Sequence, residues 1–176
     1  MTDMSEPAFP KFYHLPVFFT LQPVAATRQV QMELWTEVLQ LYIVQHPETW
    51  EIAASCPVFS HPSNGCRLRT EAVQCVLTYA VEHGLAEWAT ETSRDEVIWW
   101  RCPKQDIVAK LRRWAQDTGQ QGMVFTLTEL VDNDSVNCLF AGMPTKAVKR
   151  AVIELQGQGR AVLMESQDGM DGVKFV

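Results

Sequence analysis

Three side chains in one short stretch have the chemistry of a metal site. Cys56, His61 and Cys66 are separated by four residues on each side, and Cys75 follows further along. Thiolate and imidazole suit zinc, but structural zinc sites usually grip the ion with a tight cysteine pair, and no C-x-x-C occurs here. The spacing fits a core cysteine at Cys75 and two cysteines flanking a loop. His14, His46, His61 and His83 fall in four separate segments, without a Ser-His-acid or paired-carboxylate spacing beside them. "GQGR" at 157–160 follows a helical period, so it reads as a helix-ending turn rather than a phosphate cradle. No enzyme chemistry, metal or cofactor is expected.

The elements that carry these groups are mostly helical. From Thr27, an N-cap residue, the apolar positions Val30, Leu34, Val38, Leu41 and Tyr42 define one helical face until Pro47 stops the run. "TWEIAAS" at 49–55 is expected to be a short helix closed by Cys56-Pro57, since a residue before proline leaves helical geometry. A third helix opens at Thr70, turns Val73, Val76, Leu77, Ala80 and Val81 inward, and stops at Gly84. "LAEW" and "EVIWWR" then read as a hairpin, with the polar "ATETSRD" at its tip.

The order then repeats. A helix starting at Pro103 turns Ile107, Leu111, Trp114 and Ala115 inward and ends at Gly119. Thr126 and Glu129 form a capping-box pattern, "DNDSVN" is a polar loop, and "PTKAVKRAVIELQGQG" is a helix followed by the strands "RAVLM" and "GVKFV". A shift of 75 positions lays Thr70 on Thr145, Ala72 on Ala147, Val73 on Val148, Gly84 on Gly159, Ala86 on Ala161, Trp88 on Leu163, Ile98 on Val173 and Trp100 on Phe175. One offset serving both a helix and its hairpin indicates an internal duplication. The expected fold is α+β, mainly helical, with two tandem winged-helix domains at 27–102 and 103–176, each completed without residues 1–26. Trp88, Trp100 and Trp114 fall at core positions, and alternation turns Trp99 to the opposite, outer face.

Winged helices often bind DNA through their third helix. The charges argue against it here. Arg67 and Arg69 precede the first such helix but Glu71 and Glu82 oppose them, and Lys146, Lys149 and Arg150 face Glu154 in the second. With a net charge of −6, phosphate neutralisation has little to draw on, so direct nucleic-acid binding is not expected, though a winged-helix transcription regulator is the alternative function. The 47% hydrophobic and 20% charged composition is that of a folded protein, and no apolar run reaches the roughly 20 residues that span a bilayer, so direct membrane insertion is not expected. An acidic start without an apolar leader, together with five cysteines lacking a paired spacing, points to the cytosol.

The remaining feature is "FYHLPVFFTLQP" at 12–23, a proline-punctuated aromatic segment ahead of the first helix. Together with "TRQ" at 27–29, "PVF" at 57–59, "EW" at 87–88, "WR" at 100–101 with Pro103, Trp114, "VFTL" with "EL" at 124–130 and "DGVKF" at 171–175, it resembles the vacuolar protein sorting-associated protein 25 family, the small subunits of the ESCRT-II complex. The resemblance runs along nearly the whole chain. It implies an adaptor present in two copies beside vacuolar protein sorting-associated proteins 22 and 36, acting in the sorting of ubiquitinated membrane cargo into multivesicular bodies. It also implies a cytoplasmic protein recruited to the endosomal membrane within that complex.

In that family an extended N-terminal arm, usually Pro-Pro-Phe-Phe, docks on the larger subunits. Carried over, the docking residues are Pro16, Phe18, Phe19, Thr20, Leu21 and Pro23, with Val17 in place of the second proline. A Phe buried in a partner contributes roughly 1.5–3 kcal/mol, whereas the proline restricts the free arm by roughly 0.4–1 kcal/mol, so the phenylalanines are the expected anchors. An arm that folds back onto its own domain is the competing arrangement. The second winged helix is expected to contact the ESCRT-III subunit vacuolar protein sorting-associated protein 20, with Phe125, Thr126 and Thr128 as candidate contacts. Phe12 and Tyr13 have no assigned role.

Overall fold

The computed structural model describes residues 9–132, 134 and 139–176. Cys138 and most of the polar loop "DNDSVN" lie outside the described residues. The chain divides into one unit ending at Trp99 and another running from Trp100 to Val176, slightly ahead of the expected boundary at 102/103.

The first unit contains α1 (Ala25–Gln45), β1 (Glu51–Ala53), a 3-10 turn (Pro57–Phe59), α2 (Thr70–Glu82), β2 (Ala86–Trp88) and β3 (Glu96–Trp99). Its antiparallel sheet has the order β1-β3-β2. α2 forms as its period predicts, with Val73, Val76, Leu77 and Ala80 buried. Gly84, at φ 71°, reverses the chain so that the Leu85 N–H reaches back to the Ala80 carbonyl.

Two expectations change here. α1 begins at Ala25 without a side-chain cap rather than at Thr27, and its inner stripe is Trp35, Leu39 and Ile43 with Met32 and Val38. Val30 is 53% exposed. Apolar residues surround much of this helix, so period alone does not select its buried face. The expected helix at 49–55 contains β1 instead, where Ile52 pairs with Val97. An isolated seven-residue helix carries the full cost of nucleation for few bonds, and strand pairing wins.

The second unit repeats the plan with α3 (Lys104–Asp117), β4 (Val124–Thr126), α4 (Thr145–Gly157), β5 (Ala161–Met164) and β6 (Gly172–Phe175), in sheet order β4-β6-β5. Ile107, Leu111, Val148, Val152, Leu155, Val173 and Phe175 are buried, and Trp114 packs edge-on to Phe125 and Phe175 at 5.0 and 5.7 Å. The 75-residue offset holds from the start of α2 and α4 through β2 and β5. It fails in the last strand: Trp88 pairs with Val97 nine positions on, whereas Leu163 pairs with Val173 ten positions on. The structural equivalents are therefore Val97 with Val173 and Trp99 with Phe175, not Ile98 with Val173 and Trp100 with Phe175. That one-residue difference overturns the expected orientation of Trp99, which is 0% exposed and donates its indole N–H to Gln40 Oε1 at 3.0 Å.

Candidate protein-docking site

Residues 10–23 form no ladder, so their backbone groups need other partners. Two 3-10 turns, Lys11–His14 and Pro16–Phe19, satisfy some of them locally. Side chains of α1 supply much of the rest. The Gln31 side-chain amide donates to the carbonyls of Phe18 and Thr20 at 2.9 and 2.8 Å, while its Oε1 accepts the Gln22 N–H at 3.0 Å. Arg28 donates to the carbonyls of Gln22 and Pro23, both at 2.8 Å. Arg28 of the "TRQ" sequence and Gln31 one turn on thus hold "FFTLQP" in place.

The arm is part of the first unit's core rather than an extended appendage. Phe18 stacks on Trp35 with centroids 4.5 Å apart and planes 16° apart, and Phe19 meets the same indole edge-on at 5.4 Å. Their exposures are 6% and 4%, which corrects the expectation of two outward-facing anchors. Trp35 is 0% exposed with the arm in place, and burying both rings against it removes apolar area from water. Tyr13, previously without a role, is also buried and donates its O–H to the Val58 carbonyl at 2.8 Å. Burial, with a smaller contribution from the nearby Cys56, pushes its phenol up to about 12, so it remains a neutral donor. Phe12 lies 5.1 Å from Phe18.

What the arm offers outward is different. Pro16, Thr20 and Pro23 are exposed, Leu21 is half-buried, and Val17, the departure from the family's proline, is 60% exposed beside the exposed Leu15. Next to this edge lies a groove of about 390 Å³ lined by Phe19, Thr20, Leu21, Arg67, Arg69, Glu71 and Ala72. Arg67 and Arg69 flank the buried Leu68, whose N–H bonds the Phe59 carbonyl at 2.8 Å. In extended backbone the residues on either side of an inward leucine point outward together. Among the described residues, neither guanidinium has a hydrogen-bond or ion-pair partner. The Arg-Leu-Arg alternation was the available signal, but read as the approach to a helix it looked like ordinary surface charge.

The second unit separates its candidates. Phe125 is buried in the core, whereas Thr128 is exposed. Thr126 is half-buried and makes the predicted capping box: its N–H donates to Glu129 Oε2 at 2.7 Å, and the Glu129 N–H donates to its hydroxyl at 3.2 Å. On the face of the sheet opposite Phe125, Val124, Lys174 and Val162 form one cross-strand row, followed by Thr126, Gly172 and Met164. Val124, Val162 and Met164 are exposed apolar residues. A Cβ at Gly172 would lie 3.3 Å from the Phe125 carbonyl oxygen, so this strand position is closed to larger residues unless β4 shifts.

The basic residues of α4 are not free for phosphate. Lys149 bonds Glu165 and Asp171 at 2.7 and 2.9 Å, and Lys146 and Arg150 are engaged as well. Those bonds, the one to Glu165 first, hold the Lys149 ammonium above its ordinary range, while the bond from Lys149 chiefly holds the Asp171 carboxyl below its own. His61 is equally committed. Its Nδ1 accepts the N–H groups of Ser63 and Asn64 at 3.1 and 3.2 Å, and its Nε2 lies 2.9 Å from His14 Nδ1. Among the described residues, no group of three His, Cys, Asp or Glu side chains is placed to hold a metal ion, and no helix is long and apolar enough to cross a membrane.

Two long helices packed on a three-stranded antiparallel sheet, occurring twice in one chain, define a tandem winged-helix protein. The family described as ESCRT-II complex subunit matches residues 12–144. Vacuolar protein-sorting-associated protein 25 of Bos taurus is 32% identical over 171 residues, covering 95% of this chain and 96% of that protein. The chain belongs to this family of ESCRT-II subunits. Its fold is shared with two solved structures, "Crystal structure of subunit VPS25 of the endosomal trafficking complex ESCRT-II", at TM-score 0.77 and 19% identity over 97% of this chain and all of that one, and "The crystal structure of endosomal complex ESCRT-II (VPS22/VPS25/VPS36)", at TM-score 0.76, 19% identity and the same coverage.

Proposed function

We propose that this chain is a non-enzymatic adaptor subunit of an ESCRT-II assembly, present in two copies with partners of the vacuolar protein sorting-associated 22 and 36 type. In this reading it is cytoplasmic, is recruited to endosomal membranes through the complex, and acts in sorting ubiquitinated cargo into multivesicular bodies. Its first unit docks on the larger subunits through the arm and the neighbouring groove. Phe18 and Phe19 hold the arm from below, while Pro16, Val17, Thr20, Leu21 and Pro23 present its outer edge. The observation that carries the reading is the juxtaposition of that edge with two unpartnered arginines over the apolar floor of Phe19 and Ala72. Apolar surface beside unpaired charge suits a partner segment that supplies both an apolar side chain and a carboxylate.

Recruitment of an ESCRT-III subunit of the vacuolar protein sorting-associated 20 type falls to the second unit. The exposed row of Val124, Lys174 and Val162, together with Thr126 and Thr128, supports it more directly than the buried Phe125 does. The test is co-purification with the two larger subunits. Val17→Asp and the double variant Arg67→Glu/Arg69→Glu should leave the isolated chain folded yet lose the complex. If both variants assemble as the wild type does, docking lies elsewhere on the surface and this placement fails.

A further inference from the structure

We propose that His14 and His61 form a proton-sensitive latch, which fastens the first turn of the arm when His14 is neutral and loosens it when His14 is protonated. The argument begins with hydrogen-bond directions. The amides of Ser63 and Asn64 both point at His61 Nδ1, so that nitrogen must present a lone pair. The ring hydrogen of neutral His61 then sits on Nε2, which faces His14 Nδ1 at 2.9 Å. His14 must accept there. Its own hydrogen is on Nε2.

This arrangement has no symmetrical escape. A proton added to His14 occupies Nδ1 and sets one N–H against another. His61 cannot yield by moving its hydrogen to Nδ1, because two backbone donors already occupy that side. Metal ligation through His61 Nε2 meets the same obstacle. The contact joins residues 47 positions apart and ties the turn Lys11–His14 to the loop after Phe59, with the Asn64 side chain approaching the His14 carbonyl at 3.5 Å as a weaker second tie.

His14 is exposed, so water can take up the charge of the protonated ring, but no neighbouring protein group replaces the lost bond to His61. On the arm, Lys11 is cationic, and the Tyr13 ring lies 5.8 Å from His14 with its phenol kept neutral by burial. On the opposite side, Tyr13 lies 5.4 Å and Phe19 6.0 Å from His61, and the Cys66 carbonyl accepts the His61 backbone N–H. Among the described residues, no carboxylate bonds either imidazole. Protonation of His14 breaks the bond to His61, so the latch weakens as pH falls. Losing one such bond raises local opening roughly 10-fold, whereas Phe18 and Phe19 remain seated. The consequence for assembly rests on the arm-docking reading above; the latch itself does not.

Amide hydrogen exchange of residues 11–15 in the full chain at pH 7.5 and pH 5.5, corrected for intrinsic rates, tests it, with the Phe18 and Thr20 amides as the unaffected reference. The wild type should open roughly 10-fold more at the lower pH. His14→Asn, whose Oδ1 can accept from His61 at either pH, should show no such change. Equal protection of the wild type at both pH values overturns the proposal, as does the same pH response in His14→Asn. Imidazole ¹⁵N shifts at pH 7.5 give an independent check, because His61 found with its hydrogen on Nδ1 also overturns it. Co-purification with the larger subunits at the same two pH values separates the two readings. If exchange switches while assembly is unaffected by pH and by Val17→Asp, the latch stands and arm docking fails.

Discussion

Phe18 lies flat on Trp35, ring centroids 4.5 Å apart, although the two residues belong to different elements and seventeen positions separate them. Phe18→Ala removes most of a buried ring from that stack and should destabilise the isolated chain by about 3 kcal/mol, measured by urea unfolding with tryptophan fluorescence. Phe18→Leu should cost less than half as much, since it refills most of the volume. A Phe18→Ala protein as stable as the wild type would mean that the arm is not seated in solution.

Gln31 makes three hydrogen bonds to arm backbone while itself buried. Gln31→Glu replaces two donors with acceptors that face carbonyl oxygens. It should cost about 2 kcal/mol or more and expose the Gln22 amide to rapid exchange, whereas Gln29→Glu, on the exposed side of the same helix, should do neither.

The loop joining β5 and β6 is held by Lys149 bridging Glu165 and Asp171. Asp171 titrates below its ordinary value, so its contribution is present above that value and is lost as pH falls through the lowered one. Lys149 titrates above its ordinary value, so its contribution is complete below that value and disappears as pH rises through the raised one. The bridge should therefore hold across the neutral range and open at both extremes. In a carboxyl ¹³C titration, Lys149→Ala should return Asp171 toward 3.8. An unchanged midpoint would remove Lys149 as the cause.

Trp99 replaces water around its indole N–H with Gln40. Trp99→Phe should cost roughly 1 kcal/mol for the lost bond plus the consequence of a smaller ring in a full core, seen as a lower urea midpoint. Trp99→Phe combined with Gln40→Leu should recover part of the loss, because the unpaired amide goes as well.

Local patterns carried much of the fold. The periods of α2, α3 and α4, the glycines that end them, the Thr126–Glu129 capping box and both hairpins were legible because each depends on neighbours within a few positions. The site was legible as text rather than as geometry. "LPVFFTLQP" marked the right segment, but nothing local distinguishes a ring offered to a partner from one turned onto Trp35.

The sequence by itself determined that two winged helices would form and that an aromatic arm would precede them, since side-chain period and chain-terminating residues act over one or two turns. The tertiary structure alone decided which ring faces inward. α1 is apolar round much of its surface, "VIWW" has no alternation to fix its register, and the second hairpin is one residue longer than the first. Those ambiguities end only when Trp35, Ile52 and Val97 come together from separate parts of the chain and cover one side of each element. The same closure buries Phe18 and Phe19 and leaves Val17, Arg67 and Arg69 at the surface.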